Sequence, residues 1–448
     1  MDSRFRGNDD GVPHPYKGFL PAAVAKTLPY GAISALTDYS LDRLPLMLFG
    51  GLLYTSAAIA PYNCGRWGRV KLSCLQENLD RGLNIVSRAV PAKSTLPALS
   101  NVLLSTDQGR LKLAATNLEV AISCWIGAKV EEEGTITVPA SLLAEFVRSL
   151  PNDRIDLSLS QRTRTVNLHC ARFEANIKGI DAEEFPTIPS TGDGFRILVD
   201  AVTLHDSIGQ VAFAAAADDS RPVLTGVLVT FKDSTMTLVA ADGFRMALKS
   251  SPLGAPVEQE VSIIVPARAL RELGRIVADS EEAVEISITP NRNQVLFRLG
   301  NVELVSRLIE GQFPPYERII PPSTPNKVVV STGEFLNANR TAAIFARDNS
   351  NIVRLQFTPG EDGMTAGKMV LSATSAEIGD NVGEIDAAIV GQPSQIAFNS
   401  RYLDELLKVL EKSSQLSLEI NSSSSPGTFR PVGDEGYLHI IMPMHTNR

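Results

Sequence analysis

The chain is short of the residues that usually carry chemistry. Its five histidines, His14, His169, His205, His439 and His445, share no ligand spacing, and its four cysteines, Cys64, Cys74, Cys124 and Cys170, include no CxxC pair. That excludes a zinc site assembled from close ligand pairs. Cys74, Cys124 and Cys170 read instead as reduced, buried strand residues of a cytoplasmic protein. GxxxxGK[ST], GxGxxG after a strand, HExxH and GxSxG are all missing, so no nucleotide-binding, metalloprotease or hydrolase signature is present. Aromatic residues make up 6% of the chain, and none forms a stacking platform of the kind that captures single strands. The apolar run from Leu44 to Ala60 is broken by Gly50-Gly51 and Thr55-Ser56 and falls short of the ~20 residues a membrane span needs. A net charge of −8 does not mark the whole chain as a polyanion binder, although only the local field steers a ligand.

What the chain does have is a long repeat. Val138–Arg148, VPASLLAEFVR, recurs 127 residues later as Val265–Arg275, VPARALRELGR. Phe185-Pro186-Thr187-Ile188-Pro189 closes the first copy, and Phe313-Pro314-Pro315-Tyr316 closes the second. A period that long is a whole domain, not a solenoid unit of ~20–50 residues. The length of 448 residues suits roughly three such domains, each able to bury its own core.

Each unit has one grammar. Leu79, Leu83, Val86 and Val90 recur at helical spacing and predict a first amphipathic helix. Leu96–Leu104 reads as a strand, a turn follows at Asp107-Gln108-Gly109, and Arg110–Ala114 alternates with period two. Arg221–Val229, Met236–Ala240 and Ala241-Asp242-Gly243 repeat these parts. A divergent third copy follows Pro325, with a first helix over Phe335–Ala346, a strand over Asn351–Phe357, Phe398-Asn399-Ser400 in place of Val-Pro-Ala, and a second helix over Tyr402–Leu410. Two helices among about eight short strands make an α+β layer arrangement. Linkers fall near Ser190–Gly194 and Pro321–Asn326, which divides the chain into residues 70–191, 195–322 and 326–448. Residues 1–69 read as a disordered extension or a mis-set translation start.

The second helix of copy two carries Arg268, Arg271 and Arg275 as one stripe, with Leu270, Leu273 and Val277 opposite. Arg81, Arg88 and Lys93, Arg148, Arg340 and Arg347, and Arg401, Lys408 and Lys412 repeat the theme more weakly. A basic helix face is usually just a solvated one. Recurrence across repeats points further, to a diffuse lining that holds phosphates without reading bases. Asp218-Asp219 and Glu131-Glu132-Glu133 read as acidic loops, not metal ligands. No histidine has a motif-defined place beside Asp242, so a hydrolase is disfavoured. The final strand ends in Met442-Pro443-Met444, a soft apolar surface.

Leu96–Leu104, Ala240–Ala247, Gly311–Tyr316 and Met442–Met444, in this order and on a triple repeat, resemble the bacterial DNA polymerase III beta subunit, the sliding-clamp family, from about Val70 to Met444. The resemblance implies three tandem clamp domains per chain and a pseudo-sixfold ring made by a head-to-tail homodimer. It implies a non-catalytic processivity factor of DNA replication, without cofactor or metal, that encircles duplex DNA and tethers the replicative polymerase. The polymerase catalytic subunit, the clamp loader and repair proteins would dock through short linear peptides. Lys93, Arg148 and Arg268 fall where the family has basic residues at the DNA, and Arg271 and Arg275 extend that set. The matching peptide groove is Leu224, Ala241, Gly243, Phe244, Arg245, Met246, Pro314, Arg318, Ile319, Ile440, Met442, Pro443 and Met444, an apolar trough with arginines at its rim. Phe173, Ile344 and Phe345 fall at ring-interface positions. Two departures touch the groove: members often have histidine at the position of Phe244, and many end Met-Pro-Met-Arg-Leu where this chain has His445-Thr446-Asn447-Arg448. The runner-up is a peptide-binding scaffold that no longer loads on DNA.

Overall fold

The computed structural model describes residues 70–189, 194–278, 280–322, 324–360 and 366–445; the expectation for residues 1–69, and Cys64 with it, lies outside them. Within the described residues the chain forms six α-helices and 25 strands in three sheets. The helices are α1 (Gln76–Val86), α2 (Ala140–Ser149), α3 (Ala201–Val211), α4 (Ala267–Val277), α5 (Thr332–Ala346) and α6 (Ser400–Val409). They pack in pairs, α1 on α2, α3 on α4 and α5 on α6, and each pair lies against its own repeat's strands.

The Val-Pro-Ala repeat has a local cause. Pro139 and Pro266 each end a strand, opposite Asn101 and Gly226, and each is the residue before a helix, with φ of −56° and −51°. Proline cannot donate to the ladder, and its fixed φ is compatible with the non-helical residue that precedes a helix, so the strand stops there and the helix starts at the next residue. In the third repeat Asn399 does the same work by another route, its side chain accepting the Arg401 N–H at 2.9 Å.

Local structure departs from the sequence reading at three places. Pro97–Ser100 and Pro222–Thr225 are 3-10 turns, and their strands begin only at Asn101 and Gly226, because proline at the first helical position favours a turn over a ladder. α1 stops at Val86 and tightens into a 3-10 turn over Ser87–Ala89, so Val90 lies beyond the helical face. Glu131 and Glu132 belong to the edge strand Lys129–Glu132, where Glu131 pairs with Lys71 at 2.8 Å.

Two sheets cross domain boundaries. Strand Val302–Arg307 pairs antiparallel with Val120–Gly127 in an eight-stranded sheet, joining the first two repeats. Strand Tyr437–Ile441 pairs antiparallel with Arg245–Pro252 in a twelve-stranded sheet, joining the last two. The joints are equivalent: in each, the last strand of one repeat meets the same strand of the repeat before it. At the two ends of the array the corresponding strands keep a free edge. Phe173–Lys178 is the terminal strand of the five-stranded sheet, and Gly379–Val390 is covered on its outer edge only from Ala388 onward.

Both sheet faces are apolar at the joints. Along strand Thr235–Ala241, Met236, Leu238 and Ala240 face the helices, while Val239 joins a separate cluster with Met246, Leu438 and Ile440 on the opposite face. The repeated Phe-Pro segments cover this outer face. Phe313, Tyr316 and Ile320 pack on the second joint, and Ile188 packs on Ala121, Leu296 and Val305 at the first.

Candidate functional site

The helix pairs turn a polar face away from the sheets, and every predicted basic residue there is exposed. Among the described residues, Lys93, Arg268 and Arg271 have no hydrogen-bond or ion-pair partner for their side chains. Arg148 reaches across to α1, bonding Asn84 Oδ1 at 2.5 Å and standing 3.7 Å from Asp80. Arg275 is held by Glu272 at 2.7 Å within α4, and Glu272 also meets Arg88 of the first repeat at 3.6 Å.

The predicted groove residues converge on the joint between the second and third repeats. A tight turn at Asp242–Arg245 organises them. Asp242 Oδ1 accepts the N–H groups of Phe244 and Arg245 at 2.8 and 2.9 Å. Gly243 has φ of +93°, and a Cβ there would lie 2.6 Å from the Arg221 guanidinium, so the turn requires glycine. Arg221 donates to the Asp242 carbonyl at 2.7 Å, and the Met442 N–H bonds the Phe244 carbonyl at 2.8 Å, tying the chain end to the turn. Phe244 is thereby pushed out, 58% exposed, with Ile319 at 42% and Met442 at 40%. Pro314, Arg318 and Gly243 are exposed, and Ala241, Pro443 and Met444 are half-buried. Leu224, Met246 and Ile440 are buried and form floor, not contact surface. A cavity of about 470 Å³ adjoins this surface at Pro314 and runs between strand Val261–Pro266 and residues 308–317.

Arg245 is not at a rim. It is 8% exposed, with its guanidinium 5.2 Å from the Phe213 ring and 4.6 Å from the Tyr402 ring. It donates to Asp242 at 3.1 Å, to Glu405 of α6 at 2.5 Å and to the Phe213 carbonyl at 3.0 Å. Beside it His439 stacks on Phe213 at 5.5 Å, and burial, reinforced by the Arg245 charge, pushes its pKa down to about 3.

Residues 70–189 match the N-terminal domain of the DNA polymerase III beta subunit, 198–315 its central domain and 317–445 its C-terminal domain. The chain belongs to the DNA polymerase III beta subunit family. It is 33% identical to the beta sliding clamp of Synechococcus elongatus over 378 residues, 84% of this chain and 99% of that one. It is 30% identical to the Staphylococcus aureus beta sliding clamp over 373 residues, 81% of this chain and 96% of that one. Among solved structures, the Bacillus subtilis DNA polymerase sliding clamp superposes with a TM-score of 0.79 at 28% identity, covering 85% of this chain and 100% of that one. The Pseudomonas aeruginosa DNA polymerase III beta subunit gives 0.77 at 27%, covering 84% and 100%. The fold is therefore three tandem clamp domains of mixed α and β structure.

In this framework Phe173 is 53% and Ile344 51% exposed, on the N-terminal and C-terminal domains respectively, and Phe345 is half-buried on its own core. Sequence reasoning missed Ile378 and Val382, 52% and 64% exposed beside the free edge of strand Gly379–Val390. It also missed Phe213, Tyr402 and Glu405 around Arg245. Their only sequence signal is an aromatic or acidic residue on a helix-associated segment, which burial alone turns into a partner. Cys74, Cys124 and Cys170 are buried free thiols, and burial raises Cys74 to about 12 and Cys124 to about 11. Among the described residues no group of three or more His, Cys, Asp or Glu could hold a metal ion, and no helix is long and apolar enough to cross a membrane.

Proposed function

We propose that two copies of this chain close head to tail into a ring of six clamp domains that encircles duplex DNA and acts in the cytoplasm as the processivity factor of replication. The carrying observation is the pair of equivalent internal joints with a matching free edge at each end. Strand Phe173–Lys178 is the counterpart of Val302–Arg307, and strand Gly379–Val390 is the counterpart of Val120–Gly127. A second copy offers each edge the strand it lacks, and a heterologous joint that repeats by rotation generates a closed ring. Charge leans the same way: Arg172 and Lys178 outnumber Glu174 at the first edge, while Asp380, Glu384 and Asp386 stand on the second, all exposed. Phe173 meeting Ile344, Ile378 and Val382 supplies the apolar centre. Enclosure gives processivity without tight binding, and phosphate contacts that read no base let the ring slide.

The surface of Phe244, Ile319, Met442 and Pro314 takes short linear peptides from the replicative polymerase, the clamp loader and repair proteins. Exposed apolar side chains on a buried, rigid floor are the usual anatomy of an anchor pocket. Light scattering should give a mass near twice the protomer, and the protein should persist on nicked circular DNA and leave after linearisation. A monomer at micromolar concentration, or retention indifferent to linearisation, overturns the ring. The scaffold reading predicts that reversing the charge of Arg268, Arg271 and Arg275 leaves retention unchanged.

A further inference from the structure

In each domain the strand that leads into the second helix lies at the end of its sheet: Thr135–Pro139, Val261–Pro266 and Ser394–Asn399. On these strands Thr137, Ile264 and Ala397 occupy one shared position, the third before each helix. Their carbonyls each accept an N–H from the segment that closes the same domain: Ile180 at 2.9 Å, Ile309 at 2.9 Å and Met444 at 2.8 Å. The N-terminal domain completes the contact. The Thr137 N–H bonds the Ile180 carbonyl at 3.1 Å, the Thr137 hydroxyl adds a bond at 2.9 Å, and Asp181 stands 3.7 Å from Arg164. The central domain does not. Ile264 has no hydroxyl, and Asn293 replaces Arg164, since Leu308 bonds the Asn293 carbonyl at 2.9 Å as Gly179 bonds that of Arg164 at 2.7 Å. Glu310, in place of Asp181, has no ion pair among the described residues. In an antiparallel pair a residue's N–H and C=O point to the same side, so the Ile264 N–H and both backbone groups of Ser262 face outward with its carbonyl. None of these three groups has a backbone partner among the described residues. Beside them lies the cavity of about 470 Å³, lined by Leu228, Ile264, Phe313 and Tyr316. Arg292 also lines it, exposed and with no side-chain hydrogen bond or ion pair among the described residues.

We propose that strand Val261–Pro266 takes an added strand from a partner protein: an extended segment that flanks the short peptide bound at Phe244, Ile319 and Met442. This rests on the reading of that surface as a peptide site. An open strand edge is a liability unless something pairs with it, and extended peptides bind such edges through backbone bonds, with alternate side chains in pockets. Here the backbone of Ser262 and the Ile264 N–H supply the bonds. The cavity takes one apolar side chain of the segment, and Arg292 takes a carboxylate. The occupant is the chain already held at the peptide site because cavity and peptide site meet at Pro314. A second attachment on the same chain is intramolecular and gains from effective concentration. The contact is particular to the central domain, since the hydroxyl of Thr137 and the charge of Arg164 keep the equivalent edge of the N-terminal domain shut.

The test is fluorescence anisotropy of the full chain with two labelled peptides from the replicative polymerase catalytic subunit of the same organism. The short probe is the smallest segment whose binding Phe244→Ala abolishes, and the long probe adds its natural flanks on both sides. The long probe should bind more tightly. Ser262→Pro removes one outward N–H without touching the ladder, Ser262→Trp fills the cavity, and Arg292→Glu reverses the charge. Each should weaken the long probe about threefold to tenfold and leave the short probe unchanged. A long probe no tighter than the short one, or equally tight on wild type and all three variants, overturns the edge site and leaves the peptide site standing. Equal weakening of both probes also overturns it, because the variants then act through the peptide site itself. If Phe244→Ala abolishes binding of no polymerase segment, the peptide site is the reading that fails.

Discussion

Truncating Arg245 tests how the central and C-terminal domains are held together. The side chain is 7% exposed and bridges Asp242, 15% exposed, and Glu405, 47% exposed. Arg245→Ala removes both ion pairs, the donor to the Phe213 carbonyl and two cation–π contacts. Breaking a buried pair by deleting one partner costs about 3–5 kcal/mol when the survivor stays buried and uncompensated. Here Asp242 keeps two backbone N–H donors and Glu405 can turn to water, which puts the loss at the low end of that range, about 3 kcal/mol. For two joined domains that is a drop in melting temperature of roughly 6–12 °C, read by calorimetry. Amides of strand Tyr437–Ile441 should lose exchange protection, while those of the joint between the first two domains should not. Arg245→Lys keeps the charge but not the planar fork that serves three acceptors, so it should recover less than half of the loss. A double-mutant cycle with Glu405→Gln should give a coupling of about 1–2 kcal/mol. Arg245→Ala within about 0.5 kcal/mol of wild type, or a cycle with no coupling, would refute the clasp.

If the ring closes as proposed, Phe173→Asp should convert dimer to monomer by light scattering, because it would place a carboxylate in the apolar centre of the proposed joint with strand Gly379–Val390; an unchanged mass would show that the edge strands do not meet. His439 is neutral in the fold and has a depressed pKa of about 3, whereas the unfolded chain binds a proton below ~6.5. Its contribution is therefore complete above pH ~6.5 and declines as pH falls toward 3, by up to ~1.4 kcal/mol per pH unit. His439→Phe should flatten the fall of denaturant-derived stability between about pH 6.5 and 5, and an identical slope in the variant would reject this. Gly243→Ala should destabilise by about 1–3 kcal/mol through left-handed strain and the displaced Arg221. Gly109→Ala, also at positive φ but with open space around its Cβ, should cost less; equal losses in the two variants would discount the Arg221 contact.

Much of the architecture was legible along the chain. The Val-Pro-Ala repeat, the helical spacing of Leu79, Leu83 and Val86, and the Phe-Pro segments reflect local rules: proline at a strand-to-helix change, one apolar face per helix, one linker per domain. Phe244, Ile319 and Met442, named from the family resemblance, are exposed for local reasons, since each sits in or next to a turn or at the end of the last strand. The errors also have a local cause. Leu96–Leu104 is apolar enough for a strand, and hydrophobic pattern does not separate a 3-10 turn from the strand it leads into.

The linear order of residues was enough to establish three copies of one domain, six amphipathic helices and the positions of their charges. It could not say which charges are free. Arg148 is neutralised by Asp80, 68 positions away and on the neighbouring helix, and Arg245 by Glu405, 160 positions away and in another domain. Electrostatic pairing and burial depend on distance in space, and only the packing of helix on helix and domain on domain sets that distance. The same packing leaves one strand edge open at each end of the array, which a repeat read along the chain does not disclose.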